Sequence, residues 1–364
     1  MKIVHITSPH GGPGRQATGL CNGLAKLGTH TQELVLVDKP GPHELDYVDS
    51  SVKVRVLSEH QPPISRVESM ARIASFLSGD IIHVHFPSLT LPARILSSSS
   101  ANIFCTLHGH PQPNFEPSPS MKLAYSMELL CLRLVGSGVK LITVSAFTSS
   151  KVSSIVKRPV SVIYPGIDTS FFIPSNDQSR AKKEVGLEGK IVLLFVGRLH
   201  PVKDPFTLVR AVASLSRPNV CLVIVGEGPL ADQTRSLAMS LGVEVKFISR
   251  VSTPSLIRIY QASDVFVLPS ISEAAGLVLI EAMACGLPIV ASAIEGIPEI
   301  VGDVGLLVGP GDHAAFSRQI SAILDDDSLR QKLAEGGRAR AVLHFSEASF
   351  ANQHLKLYAK ANQV

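Results

Sequence analysis

Short apolar runs alternate along the chain with longer segments in which apolar residues recur with a helical period. This alternation is typical of parallel β-α-β units, in which buried strands are joined by helices. In the first half it predicts the strands Lys2–Thr7, Thr31–Val37, Val52–Leu57, Ile81–His85, Ile103–Leu107, Leu141–Val144 and Ser161–Ile163, and the helices Arg15–Leu27, Ile64–Leu77 and Met121–Val135.

A second series begins after residues 165–189, a passage rich in Pro, Ser and charge that has no strong period and that we expect to be the linker between two domains. Its strands are Ile191–Val196, Val220–Val225, Val243–Ile248, Val265–Leu268, Ile289–Ala291 and Gly305–Val308, and its helices are Phe206–Leu215, Leu230–Leu241, Ser255–Ala262, Leu277–Cys285, His313–Leu324 and Asp327–Leu343. Two such series predict an α/β protein with two doubly wound domains, residues 1–170 and 171–345. The segment 346–364 holds one further predicted helix, Ser346–Ala361.

Composition narrows the class of protein. Of the 364 residues, 45% are hydrophobic and 18% are charged, which excludes general disorder. No apolar run approaches the roughly 20 residues that a membrane-spanning helix needs. The first residues read as a strand and not as a leader peptide, so we expect a cytoplasmic protein. The five cysteines are scattered and never form a Cys-x-x-Cys pair, which favours buried, reduced thiols.

The net charge of +4 is concentrated in residues 1–170, which hold 15 Lys and Arg against 11 Asp and Glu. This bias is too small for a nucleic-acid-binding protein and suits an anionic small ligand or an anionic membrane surface. The predicted helix Met121–Val135 is apolar and carries Lys122 and Arg133. Packing in the core is the favoured interpretation of this helix, and peripheral contact with the inner face of a membrane stays open.

In open parallel sheets, ligands bind outside the carboxyl ends of the strands, so the expected site is a cleft between the two domains. Residues 9–15, between the first strand and the first helix, contain Gly11, Gly12 and Gly14. Glycines allow a backbone to approach an anion closely at a helix start, but a plain turn explains the segment equally well.

Two cations follow the first strand of the second series. Arg198 and Lys203 come directly after Ile191–Val196, where they could neutralise a pyrophosphate. Two solvated surface cations are the alternative.

Two acids follow the strand Val265–Leu268. Glu273 lies in the loop and Glu281 in the next helix, and Gly276 precedes that helix, so that the N–H groups of Leu277 and Val278 are available to an anion. Ionised carboxylates accept hydrogen bonds from sugar hydroxyls. A glycosidase pair of acids is the alternative.

Histidines end two strands of the first series. His108 could exchange a hydrogen bond with a substrate hydroxyl. The pairs His83 with His85 and His108 with His110 could also bind a metal, but no carboxylate or cysteine completes either pair. We therefore predict no metal site, and we interpret His83 and His85 as hydrogen-bonded histidines of the core or the cleft wall.

Taken together, the ordered motifs resemble those of the retaining glycosyltransferases of family 4, which have the GT-B fold of two Rossmann-like domains facing across a cleft. The resemblance covers nearly the whole chain. It rests on Gly11-Gly12, His108-Gly109, Tyr164-Pro165-Gly166-Ile167-Asp168, Gly197-Arg198-Leu199 with Lys203, Gly226-Glu227-Gly228-Pro229, Ala262 to Ser270, Glu273 and Glu281, Gly286-Leu287-Pro288, and Gly296-Ile297-Pro298-Glu299.

The resemblance implies an N-terminal acceptor-binding domain, a C-terminal nucleotide-sugar-binding domain and a last helix that returns to the first domain. It also implies a metal-independent transfer from a nucleotide diphosphate sugar, with no other cofactor and with the anomeric configuration retained. For the pyrophosphate, the resemblance implies binding by Arg198, Lys203, Gly12 and the N–H groups of Leu277 and Val278 after Gly276. It implies that Glu281 binds the ribose and that Glu273 and His108 bind the transferred sugar. The base would lie near Arg250 and Val251.

The favoured function is transfer of a hexose-type sugar, from a UDP-sugar before GDP-mannose, to the hydroxyl of a small-molecule, glycan or lipid-linked acceptor. Two alternatives stay open: a nucleotide-sugar epimerase of the same fold, and a catalytically idle subunit that binds a nucleotide sugar.

Overall fold

The structure is a computed structural model that describes residues 1–28, 30–41, 44–57, 79–90, 93, 101–109 and 119–361. The chain divides into two compact units, Met1–Ile167 with Ser346–Val364, and Asp168–Phe345. The strands are β1 Lys2–Thr7, β2 Thr31–Leu36, β3 Lys53–Val56, β4 Ile81–Val84, β5 Asn102–Leu107, β6 Val139–Thr143, β7 Ser161–Val162, β8 Ile191–Val196, β9 Val220–Val225, β10 Val245–Ile248, β11 Val265–Leu268, β12 Ile289–Ser292 and β13 Leu306–Val308.

The helices lie between these strands and after the last of them. They are α1 Gly11–Lys26, α2 Pro119–Leu134, α3 Ala146–Val156, α4 Gln178–Glu184, α5 Pro205–Ala213, α6 Ala231–Ser240, α7 Thr253–Gln261, α8 Leu277–Ala284, α9 Ile297–Val301, α10 His313–Asp325, α11 Asp327–His344 and α12 Glu347–Ala361. The predicted helix Ile64–Leu77 lies outside the described residues.

The first unit is built on a parallel sheet in the order β3-β2-β1-β4-β5-β6-β7. One face of this sheet packs against α2 and α3 through Leu132 and Val152. The other face packs against α1 and α12 through Leu20, Leu24 and Tyr358. Apolar side chains alternate between the two faces along each strand, which explains why the strands read as unbroken apolar runs.

The terminal helix α12 belongs to the first unit and lies directly on α1. A Cβ on Gly23 would lie 2.9 Å from Cβ of Ala351, and a Cβ on Gly166 would lie 2.4 Å from Cβ of Phe350. The absence of side chains at these two positions therefore allows the close approach of the helix. An ion pair of 2.5 Å between Lys26 and Glu347 joins the ends of the two helices.

The second unit is built on a parallel sheet in the order β10-β9-β8-β11-β12-β13. Its central strands β8, β9, β11 and β12 are almost completely buried. Two parallel, doubly wound sheets confirm the predicted α/β class.

Three helices of the structure were not predicted from the pattern: α3, α4 and α9. The α3 sequence is rich in serine, so its apolar period is weak, and its start is set by Ser145, whose Oγ accepts a hydrogen bond from the N–H of Thr148. Helix α4 lies in the passage expected to be a linker, where Asp177 caps it and Ala181 is buried. That passage is therefore not simply a linker. Helix α9 has only five residues and too few turns for a period.

Two expectations from composition can be compared with the structure. All five cysteines are free and buried, as predicted. Among the described residues, no helix combines the length and apolarity needed to cross a bilayer.

Candidate active site

The sheet of the second unit has its topological switch point between β8 and β11. The chain runs outward from β8 through β9 to β10, and then returns to the other side of β8 to continue with β11, β12 and β13. At such a point the loops after the two central strands separate and leave room for a ligand at the carboxyl ends of the strands. The loops here are residues 197–204 and 269–276.

The loop after β8 is fixed backbone to backbone against the loop after β9. The N–H of Leu199 donates to the carbonyl of Glu227 at 2.8 Å, and a Cβ on Gly226 would lie 2.0 Å from the carbonyl oxygen of Gly197. Gly226 has a φ of +144°, a conformation that side chains disfavour. This packing leaves Leu199 buried and Arg198 exposed at the carboxyl edge of the sheet.

Lys203 and Glu273 form an ion pair across the switch point. Their side chains are only 20% and 15% exposed, so the pair is partly shielded from solvent. The loops that carry them are also joined by the N–H of Ile271, which donates to the carbonyl of Val202 at 2.9 Å. The structure thus brings together two residues that the sequence placed at the ends of different strands.

Gly276 lies next to this pair and begins helix α8. Its φ is +77°, and a Cβ on it would lie 3.4 Å from Cγ of Glu273 and 2.9 Å from Cδ1 of Leu279. The first N–H groups of α8, those of Leu277 and Val278, carry the positive end of the helix dipole. A cation, a carboxylate and a helix N-terminus are therefore adjacent at the switch point.

Glu295 positions the loop of residues 269–276 and was missed by the sequence analysis. Its Oε2 accepts hydrogen bonds from the N–H of Glu273 at 2.7 Å and from Oγ of Ser272 at 2.9 Å. Glu295 follows β12, the strand beside β11, and has a φ of +45°. No spacing in the sequence marks this residue, because its contact with Glu273 depends on β12 lying beside β11.

Glu281 lies one turn into α8 and is completely buried. Its Oε2 accepts a hydrogen bond of 2.9 Å from the hydroxyl of Tyr260, on α7. Burial and this hydrogen bond show a carboxylate held firmly inside the unit.

Arg250 and Val251 follow β10, at the edge of the same sheet. Nε of Arg250 lies 3.2 Å from Oε2 of Glu227, and both side chains are well exposed. This ion pair joins the loops after β10 and β9, and Glu227 is a further residue that the sequence analysis did not assign.

Gly12 belongs to the first unit, where it lies in the first turn of α1. The helix starts at Gly11 and not at Arg15 as predicted, so the glycines form part of the helix. Gly12 is exposed, and a Cβ on it would have no atom within 4 Å. Gly14 is tightly placed, since its Cβ would lie 2.2 Å from the carbonyl oxygen of Pro9.

His108 follows β5 and belongs to a row of histidine rings in the first unit. Its Nε2 lies 3.1 Å from Nδ1 of His85, and the two rings are stacked. Burial, and secondarily the neighbouring His354, lower the pKa of His108 from 6.5 to about 3. The ring is therefore neutral near pH 7 and can exchange a hydrogen bond with a hydroxyl group.

A buried group of three histidines, His5, His83 and His85, has ring nitrogens within 4.8 Å of one another, close enough to share a metal ion. His5 was not considered in the sequence analysis, because its position beside His83 depends on the pairing of β1 with β4. Nδ1 of His83 lies 2.5 Å from the hydroxyl of Tyr358, and Nε2 lies 2.7 Å from that of Thr106. Binding a metal through His83 would break one of these hydrogen bonds. His110, which the sequence analysis considered together with His108, lies outside the described residues.

Two family models match the chain, one in each half. The glycosyltransferase family 4 model matches residues 10–171, and the model of the glycosyl transferases group 1 matches residues 177–340. Together they cover nearly the whole chain.

Among curated proteins, the chain is similar to D-inositol 3-phosphate glycosyltransferases. It is 30% identical to that of Corynebacterium aurimucosum, over 100% of this chain and 97% of the relative. The match to that of Corynebacterium efficiens is 37% identical and spans 56% of this chain and 51% of the relative. The latter match thus spans about half the length of that relative.

Solved structures of similar fold cover the whole chain. Sucrose-phosphate synthase from Thermosynechococcus elongatus has a TM-score of 0.82 at 23% identity, covering 99% of both chains. HepE of Anabaena, in complex with UDP-glucose, has a TM-score of 0.82 at 21% identity, covering 99% of this chain and 100% of that one. The similarity confirms the GT-B fold class, and with the family matches it shows that the chain is a transferase belonging to the group 1 glycosyl transferases of glycosyltransferase family 4.

Proposed function

We propose that this protein transfers a hexose-type sugar from a nucleotide diphosphate donor to the hydroxyl of an acceptor, with the anomeric configuration retained. The observation that carries the proposal is the contact of Lys203 with Glu273 beside Gly276, at the switch point of the second sheet. A UDP-sugar is the favoured donor, with GDP-mannose next, because HepE is of similar fold and its structures contain UDP-glucose or UDP.

The proposed chemistry follows from where charge develops. As the glycosidic bond of the donor breaks, negative charge grows on the departing nucleotide diphosphate and the sugar becomes cation-like. Arg198, Lys203 and the N–H groups at the start of α8 would face that charge. Fixed positive groups stabilise such a transition state more than the ground state, because they need no reorganisation during the reaction.

The same groups make a metal-independent reaction the simpler proposal, since they supply the positive charge themselves. With retention, the departing phosphate oxygen would take the proton of the acceptor hydroxyl on the face from which it left. No nucleophile of the protein and no further cofactor is then required.

We propose that the remaining residues bind the rest of the donor. Glu273 would accept hydrogen bonds from sugar hydroxyls, Glu281 from the ribose, and Arg250 with Val251 would lie near the base. In the first unit, Gly12 would allow close approach of the pyrophosphate. His108, which is neutral near pH 7, would hydrogen-bond a sugar hydroxyl.

The acceptor is proposed at the level of chemical class, as a small molecule, glycan or lipid-linked compound that offers a hydroxyl group. D-inositol 3-phosphate is the first acceptor to test, because the full-length relative carries its name. We propose a cytoplasmic protein that makes peripheral contact with the inner face of a membrane and that has no nucleic-acid partner.

The first experiment measures thermal stability with UDP, GDP, ADP and dTDP in turn. A nucleotide that binds the native state should stabilise it by roughly 2.7 kcal/mol at about a hundred times its Kd. Stabilisation by UDP alone supports the favoured donor, and stabilisation by GDP alone moves the donor to GDP-mannose. No stabilisation by any of them would contradict a nucleotide site in the free protein.

The second experiment follows transfer from the stabilising class of donor by NMR, which reads the anomeric configuration of the product. An α-linked product from an α-linked donor is expected. Inversion would overturn the retaining mechanism. Interconversion of nucleotide sugars without an acceptor would indicate an epimerase, and tight binding with neither transfer nor donor hydrolysis would indicate an idle subunit.

A further inference from the structure

Helix α2 carries a row of apolar side chains that face solvent. Leu123, Met127, Leu130 and Leu134 are 65%, 50%, 47% and 59% exposed. At 3.6 residues per turn, their spacing places all four within an arc of about 60°. These four residues are called the α2 stripe below. An apolar row of this kind on a folded protein marks a surface that contacts something else.

The α2 stripe is not the packing face of the helix. Leu132 projects from the opposite side of α2 and Cys131 from the flank next to Met127. Both are buried, and Leu132 belongs to the core beneath the sheet. The helix is therefore anchored through one face and presents a second apolar face outward. The favoured interpretation, packing in the core, therefore holds for one face of the helix.

Positive charge borders one side of the α2 stripe. Lys122 and Arg133 are exposed and project on the same side of the stripe, about 60–80° from its edge, whereas the half-buried Glu128 lies on the other side. Helix α3 packs against α2 and carries the exposed Lys151.

The sequence around α2 is also predominantly positive in charge. Residues 119–158, which include α2 and α3, hold six Lys and Arg and one Glu, a local charge of +5 in a chain whose total is +4. The basic bias of the protein is therefore concentrated in the stretch of chain that contains α2 and α3, although Lys140 lies over the ring of Phe104 on the opposite face of the sheet from α2.

We propose that the α2 stripe docks the first unit on the surface of a membrane that contains anionic lipids. An amphipathic helix binds in the plane of such a surface by burying its apolar side chains among the acyl chains, while neighbouring cations contact the head groups. Because the charge beside the stripe is positive, a negatively charged lipid surface is the favoured binding partner. This inference rests on the peripheral membrane contact proposed above and assigns it to a surface, and it is independent of the proposed sugar transfer.

The test is flotation of the purified full chain with vesicles. The protein should float with vesicles of phosphatidylcholine mixed with phosphatidylglycerol and remain largely unbound with phosphatidylcholine alone. The double variant L123Q/L130Q should lose most of the binding. Each of Lys122→Gln and Arg133→Gln should weaken binding about fivefold, an effect that high salt should reduce.

The matched control is M239Q/L343Q, which replaces two exposed apolar residues of the second unit, 76% and 71% exposed. It should bind vesicles like the unchanged protein. Because all the substituted side chains are exposed, thermal denaturation should show that every variant folds.

Two results would overturn the proposal. Vesicle binding by L123Q/L130Q equal to that of the control would show that the stripe is not the membrane contact. A dimer in solution that L123Q/L130Q converts to a monomer, with no vesicle binding by either protein, would show that a second copy of the chain covers the stripe. Nucleotide binding to the second unit is measured separately, so failure here removes the peripheral membrane contact and leaves the proposed sugar transfer intact.

Discussion

The hydroxyl of Tyr260 donates a hydrogen bond of 2.9 Å to Oε2 of Glu281, and both side chains are completely buried. A buried carboxylate is costly unless hydrogen bonds compensate for its lost hydration, so this contact holds α7 and α8 together. It also places a structural demand on the residue proposed to bind the ribose. Glu281 can both join α7 to α8 and bind the ribose only if the Tyr260 hydroxyl orients its carboxyl group.

The variant Tyr260→Phe tests the structural role and the nucleotide-binding role of Glu281 separately. Loss of the donor should lower the free energy of unfolding by about 1–3 kcal/mol and weaken binding of the nucleotide. Urea denaturation and nucleotide titration measure the two effects. Tyr358→Phe is the matched control, because it removes a buried hydroxyl from the first unit, next to His83. It should lower stability without changing nucleotide affinity. Unchanged affinity in Tyr260→Phe would leave Glu281 with a structural role alone.

The cations after β8 should matter for the reaction much more than for the fold. Arg198→Ala and Lys203→Ala should each lower the transfer rate by about 10²- to 10³-fold, as for loss of one group that stabilises the departing oxyanion. Lys190→Ala is the matched control, because Lys190 precedes the amino end of the same strand and pairs with Glu244 at 2.7 Å. It should keep full activity. Full activity in Arg198→Ala or Lys203→Ala would refute the pyrophosphate assignment of that residue.

Much of the fold is predictable because buried parallel strands read as unbroken apolar runs. β1, β8, β9 and β11 have the predicted limits, and the other strands differ by one or two residues at their ends. Helices α3 and α4 were missed for a different reason. Their starts are fixed by the side chains of Ser145 and Asp177, and such caps act locally without producing an apolar period.

The candidate site is predictable only as far as it follows strand ends. Lys203 and Glu273 could be assigned because the carboxyl ends of parallel strands share one edge of a sheet. Contacts that depend on the order of the strands in a sheet could not be assigned from the sequence. Glu295 reaches Glu273 because β12 lies beside β11, and His5 reaches His83 because β1 pairs with β4. Sequence spacing carries no information on that order.

Two glycines of the candidate site should respond differently to the same substitution. In Gly226→Ala the new Cβ would lie 2.0 Å from the carbonyl oxygen of Gly197, so the loops after β8 and β9 must separate. We expect lower stability and weaker nucleotide binding. In Gly12→Ala the new Cβ meets no atom within 4 Å, and alanine favours a helix.

Gly12→Ala should therefore leave stability unchanged or slightly higher and weaken only donor binding. Thermal denaturation with and without nucleotide sugar distinguishes the two variants. Equal donor affinity in Gly12→Ala and the unchanged protein would remove Gly12 from the proposed site.

The buried histidines of the first unit, one of which lies on α12, should make this unit sensitive to acid. Burial is the main cause that lowers the pKa of His5 and His108 from 6.5 to about 3 and that of His354 to about 4. These groups stay neutral in the folded protein and gain a proton more readily on unfolding. Their contribution to stability is therefore complete above pH 6.5 and is lost as the pH falls toward the folded-state values, by about 1.4 kcal/mol per pH unit for each group.

The measurement is urea denaturation between neutral pH and pH 4, followed by a probe of the first unit such as hydrogen exchange in α12. The free energy of unfolding should fall steeply below pH 6.5, and the variant His354→Gln should show a shallower fall. The slope is the decisive quantity, because it separates titration from any constant loss of stability that the substitution causes. An equal slope in the variant and the unchanged protein would show that His354 does not titrate on unfolding, and that acid acts on α12 through other groups.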